Sequence, residues 1–469
     1  MIYIRTFAYN AEKTLKRAVE SVLNQTYRDF KYYILDNGST DGTRNIIRNF
    51  AKCDKRIIPF YSSKNHDHTE NLDFWNLPKN IPENSFFCVI DADDFYETSF
   101  FEEMLCFMEE NQLEMAACGT EFFEEESGCA VGGRILAESL IIDQPEKWNL
   151  FFSKMYWNLR QVWGKLYSGK VAAARYDVEK PEWFPSYGGD TINVFQSAAV
   201  AKRFGIYAKK LHHYCLSAKS VSHKWMDERE TADVILYEKA IEFLEQKCGI
   251  VSDQNRIFLY LVYWSALHDT INVLVCSQLS PEKQVTVMCN MICHDITKQM
   301  FASDMSAWGI GEKEKRCFQR EIIHWLNKHA REYSEKSLDR AKEIYLQFNP
   351  NFSQFISKGQ LLWYLRRMPQ VVETLALCEY ENALDFLEGV LAGEDVLPFA
   401  VQLAQSLAAL LQRQEAYVLY EKLYIGVLIR QGDLQSAEAE LAEWEQILPE
   451  DDTLVRLRRQ LEEKKGRNR

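Results

Sequence analysis

Apolar residues in the first hundred positions follow two rhythms. Short stretches at 2–7, 32–35, 57–61 and 86–90 have the apolar, β-branched or aromatic content of strands, and the unbroken apolar run at 86–90 reads as one buried on both faces. Between them apolar positions recur at helical spacing, with Leu15, Ala18, Val19, Val22 and Leu23 in a segment spanning 11–25 and Ile46, Ile47 and Phe50 in the next. This β-α-β-α-β order predicts a largely parallel sheet, with Pro59 weakening the third strand. A helix over 100–111, with Phe101, Leu105 and Met108 inward, and a strand over 115–119 follow, and 121–133 reads as an exposed hairpin or loop. From Arg229 onward helical periodicity dominates, and residues 259–275 are apolar enough on most sides to predict a buried helix. Four helices with short links are expected over 380–391, 396–412, 416–431 and 434–447, with a frayed tail over 462–469.

In a parallel sheet ligands bind at the carboxyl ends of the strands. Three polar clusters fall at such ends: Thr6, Tyr9 and Asn10; Asp36 and Asn37; Asp91, Asp93 and Asp94. Three carboxylates within four positions repel one another. A hard divalent cation, Mg²⁺ or Mn²⁺, with a diphosphate sharing its coordination resolves that repulsion. The plainer reading is a solvated turn and helix cap ahead of Phe95.

Four ordered motifs carry a family resemblance: residues 8–15 (AYNAEKTL), 21–27 (SVLNQTY), 35–43 (LDNGSTDGT) and 90–94 (IDADD). Together, over about residues 1–225, they resemble the inverting family 2 glycosyltransferases of GT-A fold. The resemblance implies a nucleotide-sugar donor, most often a UDP-sugar, and Mn²⁺ or Mg²⁺ at the Asp-x-Asp motif. By position, Thr6, Tyr9 and Asp36 match family residues near the uridine, and Asn37 stands where a second aspartate is commoner. Asp91 and Asp93 match the Asp-x-Asp pair, with Asp93 and Asp94 the expected direct metal contacts and Asp91 on the donor. Asp190, in the Gly188-Gly189-Asp190 run, matches the general base; a plain helix cap is the alternative. Lys219 and Ser220 match phosphate contacts and His223 a metal contact in a lid-like stretch, where Cys215 replaces the usual arginine. Gly164 replaces an asparagine on the acceptor side. Lys165 there either faces a phosphate or is solvated. Of Trp148, Trp157, Trp163 and Trp183, one or two are expected to touch acceptor. In the crossover 62–85, which departs most from the family, Asn71 or Asn76 is the counterpart of its Arg-Asn pair, and His66 and His68 are read as polar contacts or as having no role. Residues 428–441 resemble a tetratricopeptide repeat, so the end of the chain is expected to hold tetratricopeptide-like hairpins that bind a protein partner or pair two protomers.

Composition narrows these expectations. With 469 residues the chain exceeds one ordinary core, and three domains are expected: 1–228 GT-A, 229–369 helical, and 370–469 helical hairpins. A net charge of −13 argues against a nucleic-acid partner. The twelve cysteines lack CxxC spacing and read as reduced core thiols. Cys289, Cys293 and His294 are read as a buried helix face rather than an incomplete zinc site. No apolar run approaches the ~20 residues of a membrane span, and residues 1–6 read as a strand rather than a signal peptide. The expected location is the cytoplasm, or the inner face of the membrane as a peripheral protein.

The fold class is thus α/β, a GT-A domain with a mostly parallel sheet, followed by an all-α region. The expected function is metal-dependent inverting transfer of a sugar to a hydroxyl on a saccharide, lipid-linked or protein acceptor. One rival is a degenerate GT-A domain acting as a nucleotide-sugar-binding or scaffold protein, motivated by Asn37, Cys215 and the altered crossover. A nucleotidyltransferase is the other; it would show a glycine-rich phosphate loop with a Lys or Arg near the N-terminus, which residues 8–14 do not resemble.

Overall fold

A computed structural model of the chain describes residues 1–65, 70–125, 127–174, 187–216, 224–392 and 398–467. Among these residues ten strands form one sheet: β1 (Ile2–Ala8), β2 (Phe30–Asp36), β3 (Ile57–Tyr61), β4 (Phe86–Val89), β5 (Phe95–Tyr96), β6 (Met115–Glu124), β7 (Ala130–Arg134), β8 (Leu140–Ile142), β9 (Lys165–Ser168) and β10 (Phe204–Leu216). The order is β3-β2-β1-β4-β9-β6-β10-β5, with β7 on β6 and β8 on β10. The β1–β2, β2–β3, β1–β4 and β6–β10 pairs are parallel. β9 runs antiparallel to both β4 and β6. Hence β6 and β10 point the same way as β1–β4, and β9 alone is reversed between the two blocks. This is the mostly parallel sheet expected of a GT-A fold.

The apolar runs read from the sequence lie in β1–β4, where Ile2, Ile4, Tyr32, Ile34, Phe87 and Cys88 are buried. Pro59 sits in β3, the edge of the sheet, where its missing N–H disrupts no second ladder. The helices Leu15–Leu23, Thr43–Cys53 and Phe100–Glu110 lay Leu15, Val19, Val22, Ile47, Phe101 and Met104 on one face of the sheet. The first helix is shorter than the 11–25 expected, because Ala11 and Glu12 donate their N–H groups to the next loop instead of turning into helix. β6 runs to Glu124, beyond the expected 119, and forms the hairpin with β7.

Contacts divide the chain into two compact units, Met1–Val273 and Leu274–Arg469. The first extends past the expected 228 because the helix Arg229–Cys248 buries Leu236, Phe243 and Leu244 in it, with Phe243 5.3 Å from Trp148 and 5.1 Å from Phe195. The helix Asp253–Val275 corrects one expectation. It is long and apolar enough to cross a membrane, with a mean hydropathy of 1.2, yet 56% of its apolar window is buried inside the protein, as in a core helix. Asp269 on it pairs with the buried Arg229 at 3.2 Å.

The second unit is helical. Its last helix, Asp452–Arg467, overturns the frayed tail. Leu454, Leu457 and Leu461 are buried against Ile425, Leu428 and Leu441. Lys464 Nζ donates to the carbonyls of Ile429 (2.8 Å) and Arg430 (2.6 Å), closing the end of the helix Gln414–Gln431.

Candidate active site

The carboxyl ends of β1, β2 and β4 come together as one polar edge. The loops after β1 and β2 are stitched to each other: Asn10 N–H donates to Ser39 Oγ, Thr40 N–H to Asn10 Oδ1, and Gly42 N–H to Glu12 Oε2. Asn10 takes a φ of 50°, which asparagine tolerates. The helix Thr43–Cys53 begins from Gly42, and Asp41 Oδ1 accepts from Thr43 N–H.

Asp36 ends β2 fully buried. Its Oδ1 accepts from Ser39 N–H (3.0 Å) and its Oδ2 from Arg44 Nε (2.5 Å). Asn37 is tied through Nδ2 to Asn65 Oδ1 (2.9 Å), while among the described residues its buried Oδ1 has no hydrogen-bond partner. Tyr9 is 47% exposed at the mouth of the edge. Thr6 lies beneath it. Its hydroxyl donates to Ile90 O (2.7 Å) and meets the Tyr32 hydroxyl (2.9 Å), so Thr6 holds β1 to the end of β4 and offers nothing outward.

Asp91, Asp93 and Asp94 each bring a carboxylate oxygen within 4.8 Å of the other two. Burial pushes all three carboxyls above the ordinary carboxylate value. For Asp91 the charges of Asp94, Asp190 and Asp93 add to it, in that order; for Asp94, that of Asp93 does. A cluster in this condition fits a divalent cation, which removes both the repulsion and the need for protons. The three are not equivalent. Asp94 is fully buried and spends both oxygens on β10: Oδ1 accepts from Cys215 N–H (2.9 Å) and Oδ2 meets His212 Nε2 (3.1 Å). Asp91 and Asp93 are the half-buried pair facing outward.

His212 was invisible as a functional residue in the sequence. Two register shifts in β10, between Tyr207 and Lys210 and between Lys210 and His212, re-aim its side chain toward Asp94. The ring is buried and stacked on Trp163 at 4.5 Å. Burial, then the neighbouring His213 and Lys165, hold its pKa well below the usual histidine value, so the ring is neutral. Arg17 was missed as well. From the first helix its Nη2 donates to Asp93 O (2.7 Å) and Cys215 Sγ (2.9 Å). It therefore brings a guanidinium to the place where the absence of arginine at 215 had been noted.

Asp190 is the second residue of the helix Gly189–Val200, which starts from Gly188 in the left-handed region, φ 82°. Gly188 occupies the cap, so Asp190 is not the cap residue. The protein packed around Asp190 pushes its carboxyl up, and Lys165 and then Arg5 pull it down. Its side chain is open to water, which screens the upward push, and the helix N-terminus favours its ionised form.

Lys165 matches neither expectation. It is buried at the start of β9, donates to the carbonyls of Gln161 and Trp163 (3.3 Å to the latter), and burial lowers its pKa to about 7. Gly164 has φ 63°, a backbone that disfavours most side chains and accounts for glycine there. Trp148 and Trp163 are core residues, and Trp157 is exposed. Asn71 Nδ2 donates to Tyr61 O and Ser62 Oγ, while Asn76 joins two short helices. Lys219, Ser220, His223, His66, His68 and Trp183 lie outside the described residues. In the second unit Cys289 Sγ lies 3.9 Å from Cys293 Sγ and 3.2 Å from Glu343 Oε2.

A strand-end carboxylate cluster, a separate carboxylate on a helix start and a single reversed strand between parallel blocks thus meet on one polar edge of the sheet. Comparison with known proteins finds that residues 4–180 match the model of Glycosyl transferase family 2. Among curated relatives, an uncharacterised glycosyltransferase of Haemophilus influenzae is 29% identical over 111 residues, 24% of this chain and 33% of the relative. Glycosyltransferase GlyA of Streptococcus pneumoniae is 24% identical over 229 residues, 47% of this chain and 31% of the relative. The chain thus spans about a third of the length of each. Among solved structures, Staphylococcus aureus TarS 1–349 in complex with UDP-GlcNAc overlays with a TM-score of 0.39 and 13% identity, over 81% of this chain and 91% of that one.

Proposed function

We propose that this chain is a metal-dependent inverting glycosyltransferase moving a sugar from a nucleotide-sugar, a UDP-sugar first, to a hydroxyl acceptor. The observation that carries the reading is the Asp91, Asp93, Asp94 cluster within 4.8 Å at the carboxyl ends of parallel strands, inside the segment that matches the family. Asp91 and Asp93 are the carboxylates that hold Mn²⁺ or Mg²⁺, backed by Asp94, which fixes the turn to β10. When bound, the cation offsets charge on the leaving diphosphate. Asn37 Oδ1, unpaired among the described residues and beside Asp36, suits an N–H of the nucleobase such as that of uracil N3. Asp190 takes the acceptor hydroxyl proton. Lys165 and then Arg5 offset part of the upward push that burial gives its carboxyl. Lys219, Ser220 and His223 are assigned to the diphosphate and the cation on the family pattern. The helical second unit is assigned to a protein partner or a second protomer, at a cytoplasmic or peripheral location.

The test is thermal unfolding with nucleotides and nucleotide-sugars, with and without Mn²⁺, alongside Asp190→Asn. Wild type is expected to gain stability with UDP or one UDP-sugar only when Mn²⁺ is present. Asp190→Asn is expected to keep that gain and lose transfer by about 10²–10⁴-fold. Intact transfer by the variant removes Asp190 from the mechanism. No gain with any nucleotide favours the scaffold reading.

A further inference from the structure

Two guanidiniums share one indole close to the start of the Asp190 helix. Residues 156–165 run from a short turn of helix, Tyr156–Leu159, to the start of β9. Trp157 in that turn is 38% exposed, and the guanidinium carbons of Arg134 and Arg160 lie 5.9 and 5.8 Å from its ring centre. Arg134, at the end of β7, is held by Trp157 O (2.6 Å) and Gln161 Oε1 (2.7 Å). Among the described residues no ion pair ties either guanidinium to a carboxylate. Asp233, whose carboxyl feels Arg160, accepts instead from the Thr270 hydroxyl (2.9 Å). Burial and the charge of Arg160 lower the pKa of Arg134 to about 10.

This shelf is joined to the base. Thr191, the neighbour of Asp190, donates its hydroxyl to Arg160 O (2.9 Å). Gln161 links the two cationic side chains, its side chain accepting from Arg134 and its carbonyl from Lys165. Two cations held over one indole repel each other, and among the described residues neither has an ion-pair partner, which is costly if they only pack. In a chain of net charge −13 they form a local positive patch. Arginine pairs suit oxyanions through forked N–H groups, and an exposed indole suits the apolar face of a sugar ring.

The geometry points to an acceptor that carries an anionic group, a phosphate or a carboxylate, close to the hydroxyl that is glycosylated, seated on Trp157 between Arg134 and Arg160. This rests on the reading of Asp190 as the base. Ligand-detected NMR on the full chain tests it with glucose 6-phosphate, glucuronate and glucose as probes. Wild type is expected to bind both anionic probes about ten-fold or more tightly than glucose. Arg134→Gln/Arg160→Gln is expected to lose that preference while melting like wild type and keeping the Mn²⁺-dependent gain with UDP. Arg134→Lys/Arg160→Lys, which keeps charge and packing, is expected to retain part of it. Asp91→Asn, which weakens the donor site, is expected to leave it intact. Equal binding of charged and neutral probes, survival of the preference in the double glutamine variant, or its loss in Asp91→Asn overturns the proposal. Anionic-lipid vesicles separate the sources: capture by vesicles that the glutamine variant abolishes assigns a lipid headgroup, and preference for soluble probes alone assigns a soluble or polymeric anion. An anion preference without any nucleotide response keeps the shelf and refutes the transferase.

Discussion

Lys165→Met separates burial from charge at the site. Lys165 is 2% exposed, and its pKa falls from 10.5 to about 7. A drop of about 3.5 units at about 1.36 kcal/mol each puts the cost of keeping this lysine charged in the fold near about 5 kcal/mol. The unfolded chain binds the proton more tightly, so between about pH 7 and 10.5 folding stability rises with pH. Below about pH 7 the full penalty is present; above 10.5 it has gone. Methionine removes the titration and also the donor to the Gln161 and Trp163 carbonyls, at about 1–3 kcal/mol. The variant is therefore expected to be more stable than wild type by about 2–4 kcal/mol in mild acid and less stable in strong alkali. Denaturant unfolding of both proteins across that pH range reads the difference directly, and shared titrations cancel. A difference that stays flat within about 1 kcal/mol refutes the reasoning, since it means water or a counter-charge reaches Nζ. Loss of Lys165 also raises the Asp190 carboxyl, so the acid limb of transfer is expected to move to higher pH.

Asp93→Asn is expected to leave stability in chelator unchanged or higher, because one repelling carboxylate is gone, and to abolish the Mn²⁺-dependent gain; a variant that keeps the gain removes Asp93 from the cation site. His212→Phe keeps a ring against Trp163 and leaves Asp94 Oδ2 without its partner, so a loss of about 1–3 kcal/mol is expected on unfolding, with a weaker Mn²⁺ response. Gly188→Ala places a Cβ 2.8 Å from Leu236 Cδ1 at φ 82° and is expected to cost about 1–3 kcal/mol, with transfer falling more than donor binding because the start of the Asp190 helix shifts.

The first four strands were legible because their apolar, β-branched and aromatic content is dense, and the polar residues at the ends of β1, β2 and β4 stand out against it. The role of each carboxylate was not. Asp94 is closed off by His212 and Cys215, and the His212 contact spans 118 positions, which no local pattern encodes. Thr6 matched by position, yet its hydroxyl is spent within the core. Lys165 was left open between phosphate and solvent because an isolated lysine carries no mark of burial; pairing of β9 with β6 decides it. Residues 462–469 were read as frayed because they are mostly charged, although the buried Leu454, Leu457 and Leu461 just ahead of them carry the helix on to Arg467. Arg17 gave no signal, since an arginine on an amphipathic helix is ordinary.

The reversed strand β9 has a bearing on how such a protein can diversify. Because it runs against its neighbours, its first residue, Lys165, reaches the edge where the forward strands end, and residues 156–164 arrive there without passing through β1–β4. On the proposed function, insertions or exchanges ahead of β9 are expected to change the acceptor side while the loops after β1, β2 and β4 stay as they are. A chimera that swaps this segment between two relatives tests this by comparing the acceptors used with one donor.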